Sequence, residues 1–195
     1  MSEIEIPSLE ELEEERGKAF TRRVALVTAV YAVFLAITSL GGSNAMKEML
    51  LAQQQSSDQW SFYQAKVIRE HLYRNEKNRM EVELFERGAS MKPEVRKRFG
   101  NLLTKMEGEE NRYNTEKKGI EKEAKSLERE RDLNRNKDPY FDFAEVLLQI
   151  SIILASIAIL STSKPIFIFS LVTACSGCFL SFNGFFMLFR LPFLG

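Results

Sequence analysis

Glu145 and Gln149 lie four residues apart, which on a helix puts them on one face, and the run 143–161 that holds them has no other charged residue. An ionisable group in an apolar run is the sort of residue that lines a polar path. Glu145 stands near the beginning of the run, however, and the preferred reading gives it an interfacial or helix-packing role. Asn183, in the following apolar run, is read in the same way as a hydrogen-bonding partner for a neighbouring helix. Cys175-Ser176-Gly177-Cys178 has the C-x-x-C spacing of thiol–disulfide chemistry, yet a reactive thiol needs a helix N-terminus or positive surroundings, and these thiols fall in mid-run. With Gly177, Ser181 and Gly184 they read as a small-residue packing face. His71 is the single histidine, so one chain cannot assemble a His-based metal cluster or triad. Phosphate-loop, G-x-S-x-G, H-E-x-x-H and EF-hand patterns are missing. The expectation is a protein that is not an enzyme, with no catalytic residue, cofactor or metal.

The elements that must position these residues are apolar. Runs 143–161 and 166–189 are split only by Thr162-Ser163-Lys164-Pro165, and a third run covers 24–40 behind Arg22-Arg23. About 20 apolar residues cross a hydrocarbon layer of about 30 Å, so the sequence predicts three spans over 21–42, 139–163 and 164–190. Ala25, Ala29, Ala32 and Ala36 recur at helical spacing and permit close approach to another span. Ahead of them, 1–20 is acidic, which argues against a cleaved leader. A helix is expected to start at Ser8, with Ser8 and Glu11 at capping-box spacing and Leu9, Leu12 and Phe20 as a stripe.

Charge is concentrated elsewhere. Lys and Arg number 27, as do Asp and Glu, and beyond residue 138 only Asp142, Glu145, Lys164 and Arg190 are charged. The near-balance in 43–138 excludes a nucleic-acid surface. That segment has strong helix formers, a C-cap glycine at Gly88 and a first-turn proline at Pro93, so it reads as two antiparallel helical arms, each about 65 Å long at about 1.5 Å per residue. Gly41-Gly42-Ser43-Asn44 reads as a bend or pause before the first arm. Asp138-Pro139 reads as a break after the second, followed by an aromatic girdle, Tyr140-Phe141-Asp142-Phe143. Phe99, Met106, Tyr113, Ile120 and Leu127 recur every seven residues, the mark of a coiled-coil seam. Because Glu109, Glu116 and Glu123 accompany it, the seam is thin, and copies of the chain are expected to complete it.

Asn44-Ala45-Met46-Lys47, then Ser57-Asp58-Gln59-Trp60-Ser61-Phe62-Tyr63-Gln64-Ala65-Lys66, and later Asp138-Pro139-Tyr140-Phe141 with Ala144-Glu145-Val146-Leu147-Leu148-Gln149-Ile150, resemble an uncharacterised family of bacterial membrane proteins known as a domain of unknown function. The resemblance covers most of 20–190. It implies a bacterial three-span protein with a helical insert and carries no activity or cofactor. Its recurrent D-Q-W-x-F-Y-Q-A-K segment points to Asp58, Gln59, Trp60, Tyr63 and Lys66 as a shared binding or packing locus.

The fold class expected is therefore an all-α membrane protein, three transmembrane helices with a long antiparallel, coiled-coil-like hairpin between the first and second. The function expected is a homo-oligomeric membrane scaffold or partner-binding protein. The alternative is a channel or transport component whose pathway the second span lines. Its partners would be itself, the bilayer and another membrane protein, and no nucleic acid. The resemblance implies a bacterial inner-membrane location, and Arg16, Lys18, Arg22 and Arg23 ahead of the first span against Lys47 after it favour a cytoplasmic N-terminus. Lys125, Arg129, Arg131, Arg135 and Lys137 ahead of the second span argue the opposite orientation.

Overall fold

The computed structural model describes residues 9–190, with side chains from Glu15 onward, so Ser8 and the stripe residues Leu9 and Leu12 lie outside what it describes in side-chain detail. The chain is all-helical: α1 is Leu9–Arg87, α2 is Pro93–Ser161 and α3 is Lys164–Phe186. Each contains a stretch long and apolar enough to cross a membrane. No strand occurs among the described residues. Two compact units result, one of Met49–Asp132 and one of the described residues up to Glu48 and from Leu133 onward.

In the charged unit the two arms run antiparallel. Arg131 Nη1 donates to Gln53 Oε1 at 3.0 Å, Trp60 Nε1 to Glu128 at 2.9 Å and Arg74 Nε to Glu110 at 2.7 Å, so pairing moves forward in α1 as it moves back in α2. The turn follows the expected residues. A Cβ on Gly88 would fall 2.2 Å from the Leu84 carbonyl oxygen, so only glycine fits there, although its φ is not positive. Ser90 satisfies the Arg87 carbonyl through both its N–H and its hydroxyl, and α2 starts at Pro93. Phe99, Met106, Ile120 and Leu127 are half-buried and Tyr113 is buried, and α1 meets this seam at Tyr113, which stacks on Tyr73. Its companions are Leu103, Glu110, Lys117 and Ala124, one residue beyond the glutamates expected in those places: Glu109 and Glu116 are half-exposed at the edge and Glu123 is exposed.

In the apolar unit several hydroxyls lie inside while large apolar side chains face outward. Thr38, Ser151, Ser170 and Ser181 are buried, while Leu26, Val33, Ile153, Leu160, Ile168, Phe179 and Phe186 are exposed. The hydroxyls satisfy one another, Thr38 with Ser181 at 2.8 Å and Ser151 with Thr173 at 2.8 Å, and Ser170 donates to the Ser151 carbonyl at 2.9 Å. Phe20 meets Phe167 edge-on at 5.9 Å, so it packs as part of α1. A Schellman motif closes α2: Thr162 has φ 48, its N–H reaches the Ile159 carbonyl, and the Ser163 N–H reaches that of Ala158.

Two expected interruptions are absent. α1 runs through Gly41-Gly42 and α2 runs through Asp138-Pro139. A proline inside a helix costs about 3 kcal/mol, and burial of Tyr140, Phe141 and Ala144 immediately beyond it offsets that cost. The glycines serve packing instead of bending. A Cβ on Gly41 would lie 2.7 Å from Phe141 Cε1 and 2.6 Å from Phe185 Cζ, and one on Gly42 or Gly184 would lie 3.1 Å from Phe141. Three glycines thus enclose one ring that is 2% exposed. Gly41→Ala should therefore cost about 1–3 kcal/mol from overpacking, whereas Gly108→Ala, with nothing within 4 Å, should gain about 0.5–1 kcal/mol from helix propensity. Thermal unfolding of both variants in detergent, followed by circular dichroism, checks the opposite signs.

Candidate functional site

α1 passes through the charged unit with Ala52, Gln59, Lys66, Tyr73 and Met80 inward at intervals of seven, and with Ser56, Tyr63, Glu70, Lys77 and Leu84 between them. Most of these are polar, so the seam is held by specific pairs. Glu70 is the centre, a carboxylate 1% exposed. It accepts from Lys117 Nζ, from Arg74 Nη2 at 2.7 Å and from Asn114 Nδ2 at 3.2 Å. Glu110 takes Arg74 Nε and Lys77 Nζ, each at 2.7 Å, and Glu116 takes Lys66. Tyr113 stacks on Tyr73 with ring centroids 5.7 Å apart, under the Lys66 ammonium at 5.3 Å and the Arg112 guanidinium at 4.8 Å.

The electrostatics follow from this pairing. Lys117 lowers the Glu70 carboxyl below the usual carboxylate range although burial opposes it. Lys77 and Arg74 lower Glu110, and Lys66 lowers Glu116. Glu110 in turn raises Arg74 and Lys77. No His/Cys/Asp/Glu group among the described residues could hold a metal.

The proposed shared locus lies on this seam. Trp60, Tyr63 and Lys66 are half-buried; Trp60 and Lys66 reach across to Glu128 and Glu116, and Tyr63 meets Trp60 edge-on at 5.4 Å within α1. Gln59 is half-buried and Asp58 is exposed. Of the expected polar residues in the apolar unit, Glu145 and Gln149 lie together and Asn183 is apart from them. Gln149 Nε2 donates to Glu145 Oε1 at 3.4 Å on the outer side of α2, with Glu145 half-exposed and Gln149 exposed. Asn183 is buried and bonds no neighbouring helix: its amide takes both the N–H and the carbonyl of Phe189, at 2.9 and 2.8 Å. Tyr140 donates to the same carbonyl at 3.2 Å. Cys175 is exposed and Cys178 half-buried, and both are free, while Ser170, Ala174, Gly177, Ser181 and Gly184 form the packing face of α3.

The family described as a domain of unknown function, DUF4337, matches residues 20–187. The chain belongs to this family. The DUF4337 match takes in all of the charged unit and residues 20–48 and 133–187 of the apolar one, so the seam and the three apolar stretches are parts of a single family domain. No curated protein and no solved structure matches the chain.

Sequence reasoning missed Glu70, Arg74, Asn114 and Lys117. The available signal was the count of seven in α1, which polarity hid. Carboxylates lowered in the folded state stabilise it above their unfolded pKa, about 4.3, and lose that contribution as pH falls through the lower folded value. Urea midpoints followed by Trp60, the single tryptophan, should therefore drop in acid below about pH 4. Glu70→Ala should lower stability at neutral pH by about 1–3 kcal/mol, near the smaller figure because half-exposed Arg74 and Lys117 can rehydrate. It should also flatten the acid dependence, and an unchanged acid slope would remove Glu70 from the centre of the seam.

Proposed function

We propose that the chain is a three-span membrane protein acting as a homo-oligomeric scaffold or partner-binding module. The observation that carries this reading is the distribution of side chains in the apolar unit, with large apolar groups outward and hydroxyls inward. Water would penalise so much contiguous apolar surface. Lipid accepts it, and in lipid helices associate through small residues and interhelical hydrogen bonds.

Self-association is supported by what faces outward in that unit. Asp142, Glu145, Gln149 and Ser156 follow one another on a single side of α2, all at least partly exposed. Only Ser156 returns its hydroxyl to its own backbone. A carboxylate facing hydrocarbon is expensive, so a second copy contributing polar groups, or the interface itself, should cover this stripe. The charged unit uses its own seam internally, which leaves Leu51, Phe62 and Leu72 on its surface for further contact. The same stripe supports the second reading, a channel: turned toward a shared axis, Glu145 side chains would form a ring that concentrates cations. The placement favoured is the bacterial cell membrane with a cytoplasmic N-terminus.

Two experiments test these statements. With Cys175 and Cys178 replaced by Ala, a Ser90→Cys variant should react with an impermeant thiol reagent in intact spheroplasts, and labelling only after lysis would reverse the orientation. Reconstituted in liposomes, the protein should pass no ions, and Glu145→Gln should change neither that nor the subunit number in native mass spectrometry. A cation current that falls with Glu145→Gln would establish the channel instead.

A further inference from the structure

The apolar unit contains a cavity of about 230 Å³. Its floor is aromatic, formed by the Phe141 and Phe185 rings packed edge-to-face at 4.9 Å. The rest of its lining combines Gly41, Ala45 and Gly184 with polar residues and charges of both signs, Asn44 and Glu48 from α1 and Asn134 and Lys137 from α2. Asn134 is 3% exposed. Its Oδ1 accepts from Lys137 Nζ at 3.3 Å, and its amide nitrogen has no hydrogen-bond partner among the described residues, although it is not sealed from the cavity. Glu48 forms no ion pair among the described residues and does not pair with Lys137, though both line the same space. The ion pairs of the charged unit contrast with this. A buried amide donor, a cation and an anion, none of them engaged with an opposite charge, converge over an apolar floor.

We infer that this cavity binds the phosphoethanolamine group of a membrane lipid, an inference that rests on the three-span reading above. The phosphate would accept from Lys137 Nζ and Asn134 Nδ2, charge-assisted bonds of the kind that hold phosphate oxygens. The ammonium would lie against the Glu48 carboxylate. The volume suits a headgroup and not a whole lipid, being below the roughly 300–1,000 Å³ of pockets that enclose drug-sized ligands. Phe185, which is 44% exposed, forms the side past which the glycerol and acyl chains would leave. One lysine against one glutamate makes the wall neutral, which favours a zwitterion. An anionic headgroup would set its phosphate against Glu48 with no ammonium to offset it.

Full-length protein in detergent, titrated with phosphatidylethanolamine, phosphatidylglycerol or soluble phosphoethanolamine and read by native mass spectrometry, tests this. Phosphatidylethanolamine should bind in preference to phosphatidylglycerol. Lys137→Gln should weaken it about tenfold or more, and Glu48→Gln should narrow or reverse the preference between the two lipids. A merely structural role for Glu48 would not move that preference. An unchanged Trp60 urea midpoint for each variant shows that it folds. Soluble phosphoethanolamine bound as tightly as the lipid keeps the recognised group and assigns it a source in solution. Equal adducts of both lipids, indifferent to either variant, mean annular lipid only and overturn the site. A protein that fractionates without membranes and stays dispersed without detergent overturns the three-span reading, which separates that failure from a failure of the cavity.

Discussion

Helices as long as α1 and α2 stay in contact only where the same face returns after every two turns. A straight helix drifts by about 20° per seven residues, so a strict count of seven has to be maintained by the side chains themselves. In α1 the count reads Val24, Tyr31, Thr38 and Ala45 in the apolar unit and Ala52, Gln59, Lys66, Tyr73 and Met80 in the charged one. In α2 it reads Phe99, Met106, Tyr113, Ile120 and Leu127, then Asn134, Phe141, Leu148 and Ala155. No glycine or proline resets it. Gly41 fits closely against Phe141 of α2 and Phe185 of α3, and Pro139 is followed by the buried Tyr140 and Phe141. Every other feature of the fold is a choice of what to place at these positions.

In the charged unit that choice fixes register. A two-helix pair buries little apolar surface, and an apolar seam can slide by seven residues at small cost. Here a slide is penalised. Moving α2 by one heptad in one direction would set Glu70 opposite Glu110 in place of Lys117, and moving it in the other would set Arg74 and Lys77 opposite Lys117 in place of Glu110. Removing one member of a buried pair costs more than the pair contributes, and opposing like charges cost more again. The network therefore contributes more to uniqueness of pairing than to overall stability, which accounts for an almost fully buried carboxylate in a helix pair otherwise rich in exposed charge.

These physical reasons also explain what could be read in the sequence. The chain turns are local chemistry and were legible: Gly88 because no Cβ fits, Pro93 because a first-turn proline loses nothing, and 162–165 because a short polar break separates two apolar runs. The α2 seam was legible because Phe, Met, Tyr, Ile and Leu mark it. Its counterpart in α1 was hidden, since Ser56, Gln59, Lys66 and Glu70 look like surface until the residues opposite them are known. The companion glutamates were misplaced by one position, because Glu109 and Glu110 are adjacent and only contact with Lys77 and Arg74 tells them apart. Gly41-Gly42 resembled a hinge because a missing side chain means flexibility alone and close approach beside a ring. Deciding between the two required Phe141, about a hundred residues away in sequence.

The apolar unit keeps the same count with the opposite distribution of side chains, large apolar groups outward and hydroxyls between the helices. If lipid surrounds it, as its outward Leu, Ile, Val and Phe imply, burying more such residues between helices gains little, because hydrocarbon solvates them as well as the protein interior does. Close packing and hydrogen bonds then have to hold the helices. That explains Ser170, Ala174, Gly177, Ser181 and Gly184 on α3, with Gly177 so near α2 that a Cβ would fall 3.0 Å from Leu148 Cγ. It also explains why the Thr38 hydroxyl pairs with that of Ser181 and the Ser151 hydroxyl with that of Thr173. Charges would be too costly at those positions, and hydroxyls can return to their own backbone if a partner is missing. Charge reappears only at the ends of this unit and on the Glu145 stripe. The outward carboxylate of that stripe is not accounted for by the unit's own packing, because Glu145 meets only Gln149 of its own helix among the described residues.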